Sequence, residues 1–212
     1  FLHITCKVNS YSEGVKDMKN WKIGEFVLIG LLAAIYGAVT LGIGMITAMI
    51  HPLLHLFSPA IVSVLMGTVV LFVIKKVEKF GSLSLFIGVG ICLFAGLSGM
   101  MYVPLILTVI LTSLLAEAAA YKLHYNIPAV AIGYGLIQAA YIFGGCIPVL
   151  FFLEQNMQHW KDAGMDAQTI EGFVRHSTGW FLVLGMTVSF TGGIVGVLLG
   201  KLILKKHFKD LR

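Results

Sequence analysis

Charge is what this sequence has least of: 12% of its 212 residues are Asp, Glu, Lys or Arg, about half the share of an ordinary soluble domain. Those charges are kept out of long blocks instead of recurring on one face of each helix, which excludes a water-soluble helical domain. Cysteine is scarce too. Cys6, Cys92 and Cys146 show no CxxC pattern and no paired spacing, which excludes a disulfide framework and a cysteine metal site. Cys92 and Cys146 fall inside apolar runs, where a thiol behaves as a small hydrophobe. The sequence also lacks a Walker A loop, an HExxH or GxSxG motif, and a pair of acids within any apolar run. It has no internal repeat and no pair of interrupted helices of the kind that builds an alternating-access transporter. Nothing in it calls for a nucleic-acid partner.

What is present is apolar, at 58% of the residues. A bilayer core about 30 Å thick asks for about 20 consecutive apolar helical residues. Six runs meet that need, at about 25–49, 57–74, 82–99, 103–121, 128–152 and 178–203. Pro52, Pro59, Gly81, Pro104, Pro128 and Pro148 all fall near their limits, as helix breakers should. The expected fold is an all-α integral membrane protein with six transmembrane helices in the lipid bilayer. Residues 1–17 are polar and aperiodic, without the apolar stretch of a signal peptide. They read as a lead-in or tag before a six-helix membrane domain over 18–212, Met18 looking like a translation start.

Basic residues orient the helices. With the N-terminus inside, the inner segments hold Lys7, Lys16, Lys19, Lys22, Lys75, Lys76, Lys79, Lys122, Lys201, Lys205, Lys206, Lys209 and Arg212. Only Lys161 and Arg175 fall outside, both in a polar loop predicted over 153–177. Cytoplasmic loops carry the excess of Lys and Arg, so both termini are expected in the cytoplasm.

Two helices carry small residues every fourth position: Gly30, Ala34, Ala38 and Gly42 in the first, Gly192, Gly196 and Gly200 in the last. In lipid, helices associate where small side chains let backbones approach. For the last helix the expectation is packing inside this chain. For the first, internal packing competes with a lipid-facing groove awaiting another protein.

Candidate chemistry gathers in three places. Glu117 is the only acid deep in an apolar run, where an ionisable group is costly and a functional candidate by default; it also lies a turn from Lys122 and His124, which suits a structural role. His51 and His55 follow Met45 and Met49 into the first outer segment. Imidazole with thioether suits a soft metal or haem iron, so His51 and His55 are candidate haem-iron ligands, although interfacial histidines are common and Pro52 interrupts the pattern. Met100, Met101, Tyr102, Tyr141, Trp160 and Trp180 lie toward the outer helix ends, with His159 and His176 in the long outer loop. An aromatic belt explains part of this; a pocket for a flat organic ligand would use the same residues.

Several segments resemble one known family. They are MKNWKIGEFVLIGLLAAIYG (18–37), Leu115-Ala116-Glu117, the long segment before the last helix, and GGIVGVLLGKLILKKHF (192–208). Together they resemble the substrate-binding (S) components of energy-coupling factor (ECF) transporters, within the Trep_Strep (MptD-type) group. The resemblance implies a bacterial cell-membrane protein, not itself an enzyme and without an intrinsic cofactor, that captures a micronutrient near the outer face. It implies partners: a transmembrane coupling (T) subunit and two ATPase subunits that hydrolyse the ATP. It also implies docking on the T subunit through an AxxxA face, which here is Ala34-Ile35-Tyr36-Gly37-Ala38. Haem or a related tetrapyrrole is the first ligand expected, with vitamins and metal chelates after it. The rival class is a small intramembrane enzyme or regulatory subunit using Glu117 or the histidines.

Overall fold

A computed structural model describes residues 21–98, 103–162 and 164–206. The expected lead-in, Met100, Met101 and Tyr102 lie outside these. Nine helices occur among the described residues: α1 (Ile23–Ile50), α2 (Pro52–Leu56), α3 (Ser58–Val77), α4 (Ser82–Ser98), α5 (Val103–Lys122), α6 (Ile127–Phe151), α7 (Leu153–Asp162), α8 (Ala167–His176) and α9 (Gly179–Leu204). Proline opens several of them, at Pro52, Pro59 and Pro128, where its missing N–H would have had no partner in any case. Asn126 caps α6, its side chain accepting from the Ala129 N–H at 2.9 Å.

Among the described residues, five spans are long and apolar enough to cross a membrane: α1, α2 with α3, α5, α6 and α9. The sixth expected span is α4, at 17 residues about 26 Å long, just under the core thickness. The segment 153–177, expected as a polar loop, instead folds into α7 and α8. Asp166 caps α8 by accepting from the Thr169 N–H and hydroxyl. Those bonds, the hydroxyl first, hold its carboxyl below the usual range.

The six long helices form a closed ring in the order α1, α4, α5, α6, α9, α3, with α3 also reaching α6 across the middle. Small residues set the seams. A Cβ on Gly193 would lie 2.6 Å from Gly135 Cα, and one on Gly200 2.8 Å from Thr68 Cα. Gly196 is tighter still: a Cβ on it would fall onto the Ser63 carbonyl, and a Cβ on Gly67 would fall onto the Gly196 backbone. The glycines of α9 therefore face α3 and α6, the internal packing expected for that ladder.

One end of the ring is basic. There Lys79 Nζ donates to both Glu25 carboxylate oxygens at 2.8 and 2.6 Å, tying α1 to the α3–α4 turn. Nearby, Glu117 is fully buried, but it pairs with neither Lys122 nor His124. Its carboxylate accepts from the Ser84 N–H at 2.8 Å, which caps the start of α4, and from the Tyr125 hydroxyl. His124 and Tyr125 both adopt left-handed backbone, a cost of about 1–2 kcal/mol per residue. The buried Tyr125 ring and its Glu117 contact offset it. Burial first, and Glu117 beside it, push the Tyr125 phenol well above its usual range. So Glu117 works here as a helix cap and a clasp on the α5–α6 turn.

Candidate functional site

At the opposite end, α1 stops at His51, whose extended backbone starts α2. The Leu53 N–H donates to His51 Nδ1 at 3.1 Å. An acceptor Nδ1 has no proton, so the neutral His51 ring carries its hydrogen on Nε2. His55 is the reverse. Its Nδ1 lies 3.1 Å from the Gly44 carbonyl, which can only accept, so Nδ1 is protonated and Nε2 keeps its lone pair. His176 repeats that arrangement on the Gly172 carbonyl at 2.6 Å.

Helix α8 lies across α2. Ile170 is buried, and a Cβ on Gly172 would lie 3.2 Å from Pro52 Cγ, so glycine allows this close crossing. The rings interleave: His51 to His176 at 5.8 Å, His55 to Phe173 at 5.7 Å and His176 to Phe181 at 4.9 Å between centroids. Between α2 and α8 opens a cleft of about 450 Å³ lined by His51, Thr169, Glu171, Arg175 and His176 among others. It offers one carboxylate, one guanidinium, an Nε2–H donor and an Nε2 lone pair within one small volume. Such a set can hold a polar ligand of mixed charge, or ligate a metal carried by one.

The expected ligand set divides. His51 lines this mouth and His176 joins it there, while His55, bonded to the Gly44 carbonyl and packed on the Phe173 ring, lies outside the lining. Met45 and Met49 do not line it either: both are exposed on the outward side of α1, Met49 at 85%. Trp160 is half-buried in α7 and Trp180 exposed at the start of α9. His159 lies in α7, its side chain outside what is described. Tyr141 sits inside the bundle, 6.0 Å from the Phe94 ring.

Deeper in the ring is a polar group that sequence reasoning missed. Gln138 Nε2 donates to the Tyr36 hydroxyl at 3.0 Å, and Thr40 donates to the Tyr36 carbonyl. The Tyr134 hydroxyl and Ser189 Oγ are buried without a partner among the described residues. An unmet buried hydroxyl costs about 1–3 kcal/mol, so this level of the core has hydrogen bonds to give. The available signal was Gln138, an amide within an apolar run.

The small ladder of α1 faces away from the bundle. Ala34 and Ala38 are exposed, Gly30 and Gly42 half-buried, and a Cβ on either glycine would meet nothing within 4 Å. By contrast, Gly37 next door faces α4, its missing Cβ 3.0 Å from the Gly90 carbonyl oxygen.

A family model described as a hypothetical bacterial integral membrane protein (Trep_Strep) matches residues 23–210. The chain belongs to the Trep_Strep family. The match begins at the first residue of α1 and passes the end of α9, so all six ring helices lie within the Trep_Strep region. With its apolar spans, this Trep_Strep protein is a multi-pass membrane protein of bacterial type. None of the curated proteins and none of the solved structures matches it.

Proposed function

We propose that this Trep_Strep protein is the substrate-binding subunit of an ECF-type importer. It would capture a micronutrient at the α2–α8 mouth and dock on a coupling subunit served by two ATPases. The observation that carries the reading is the outward ladder of Gly30, Ala34, Ala38 and Gly42, a strip of near-bare backbone that no other helix among the described residues covers. An enzyme reading has less support, because Glu117 is occupied as a helix cap.

In this proposal the basic end faces the cytoplasm and the mouth faces out. The described basic end carries Lys22, Lys75, Lys76, Lys79, Lys122, Lys201, Lys205 and Lys206, against Lys161 and Arg175 at the mouth. The test is single cysteines at Gln158 and Lys205 in a background with the native cysteines replaced. An impermeant maleimide should label the first from outside and the second only after permeabilisation. Labelling of both from one side would defeat the orientation.

Haem or a related tetrapyrrole remains the first cargo to try. His55 and His176 each give Nδ1–H to a carbonyl, which leaves Nε2 unbonded and fixes the orientation of the ring, as iron ligation needs. His51 would have to surrender its cap on α2 to serve. Haem titration of the purified protein should therefore raise a Soret band that falls sharply in His176→Ala or His55→Ala and less in His51→Ala. Binding no tighter than to an unrelated membrane protein would remove haem from consideration.

A further inference from the structure

A second cavity, of about 500 Å³, runs along the membrane-facing seam between α5 and α6, across the ring from α1. Ala116, Ala119, Ala129, Gly133 and Ala140 form part of its lining, and Leu115, Leu123, Ile132 and Leu136 stand exposed beside them. The floor is shallow because α5 and α6 touch there: a Cβ on Gly133 would lie 3.2 Å from Ala116 Cβ. From Thr108 to Leu123 the groove runs along the length of α5 to its end, fifteen residue steps or about 22 Å along the axis.

Its proportions choose the occupant. The groove is long, shallow and lined by alanine and glycine between exposed leucines, so a slender flexible hydrocarbon chain can follow it end to end, whereas a rigid helix about 10–12 Å wide would sit mainly on its rims. The length exceeds half of a core about 30 Å thick, so a chain from one leaflet can lie wholly within it.

The basic end of the groove supplies the other half of the ligand. Leu123 and Ala129 line it there, and Lys122 and His124 beside them are both exposed. Glu117, the acid of the same stretch, is buried and turned to Ser84 and Tyr125. We infer that the α5–α6 seam is a binding site for an anionic phospholipid, its acyl chain in the groove and its phosphate on Lys122 and His124. This goes beyond the importer reading and does not depend on it.

The test uses the full chain in vesicles of phosphatidylcholine doped with phosphatidylglycerol, followed by mild extraction and native mass spectrometry. One phosphatidylglycerol per protein should be retained in preference to phosphatidylcholine. Lys122→Gln should cut that preference by about fivefold, the factor corresponding to about 1 kcal/mol for one cation at the lipid surface. The pair Ala119→Phe and Ala140→Phe should abolish retention of both lipids. Where that pair does not fold, Leu136→Cys in a Cys92→Ser background, blocked by a bulky maleimide after folding, fills the same groove. Equal retention of the two lipids by the unaltered chain, or undiminished retention once the groove is filled, overturns the site. So does loss of a bound protein on filling with lipid unchanged, which would give the groove to a partner helix.

Discussion

Ala38→Trp is expected, on the importer reading proposed above, to abolish copurification with the coupling and ATPase subunits that reading calls for, and ATP-dependent uptake with it, while the isolated protein keeps its melting temperature. Ala38 is exposed on α1, one turn from exposed Ala34, with open space above Gly30 and Gly42. An indole on this exposed strip points away from the described bundle, so folding should be spared. A partner helix held at near-backbone distance would be pushed outward along the whole strip. Lost packing of more than about 1.4 kcal/mol is a tenfold loss of affinity, and displacement over several turns should exceed that. The matching control is Leu107→Trp, on exposed α5 surface away from the ladder, which should leave assembly intact. Leu32, on the other side of α1, is no such control, because it packs against the core. If Ala38→Trp assembles normally, the strip faces only lipid and the importer reading loses its main support.

Gly196→Leu should have the opposite profile: failure of the monomer itself. Gly196 lies against Ser63 and Gly67 backbone, with Val64 Cα 3.0 Å from where a Cβ would be. Overpacking a well-filled core costs about 1–3 kcal/mol. Here the obstructing atoms are backbone, which cannot rotate aside, so the upper end of that range is the least to expect. For a chain of this size about 3 kcal/mol lowers the melting temperature by about 6–12 °C, to be read in detergent by scanning fluorimetry. Gly30→Leu, in open space, should melt with the wild type yet impair assembly. Equal melting temperatures for Gly196→Leu and Gly30→Leu would mean that the α3–α9 seam is looser than described.

The paired glycine substitutions also mark where the sequence stops being informative. Both ladders have the same spacing; inward packing was the expectation for the last helix, but for the first the sequence left inward and outward open. Which way each faces depends on the ring order, with α9 wedged between α3 and α6 while α1 touches α3 and α4 at its flanks. Glu117 teaches the same lesson. Its depth in an apolar run was legible, but its partners were expected at Lys122 and His124. They proved to be the Ser84 N–H, far earlier in the chain, and the hydroxyl of Tyr125, whose left-handed backbone no spacing rule would propose. At the mouth, His51 and His55 were legible as a pair. Their opposite tautomers, and the substitution of His176 for the methionines, depend on where α8 crosses α2.

Sequence alone determined the membrane class, the approximate limits of the six apolar helices and the unequal charge of the two ends. Those follow from a constraint that acts along the chain: each span must satisfy its own backbone hydrogen bonds and exclude charge over one bilayer thickness. The tertiary structure decided which side of each helix is covered, what Glu117 caps, which imidazole nitrogens are free and where a groove remains. Those depend on contacts between residues far apart in sequence, and in lipid such contacts are chosen by shape, since every apolar face is equally content against its neighbour or the bilayer.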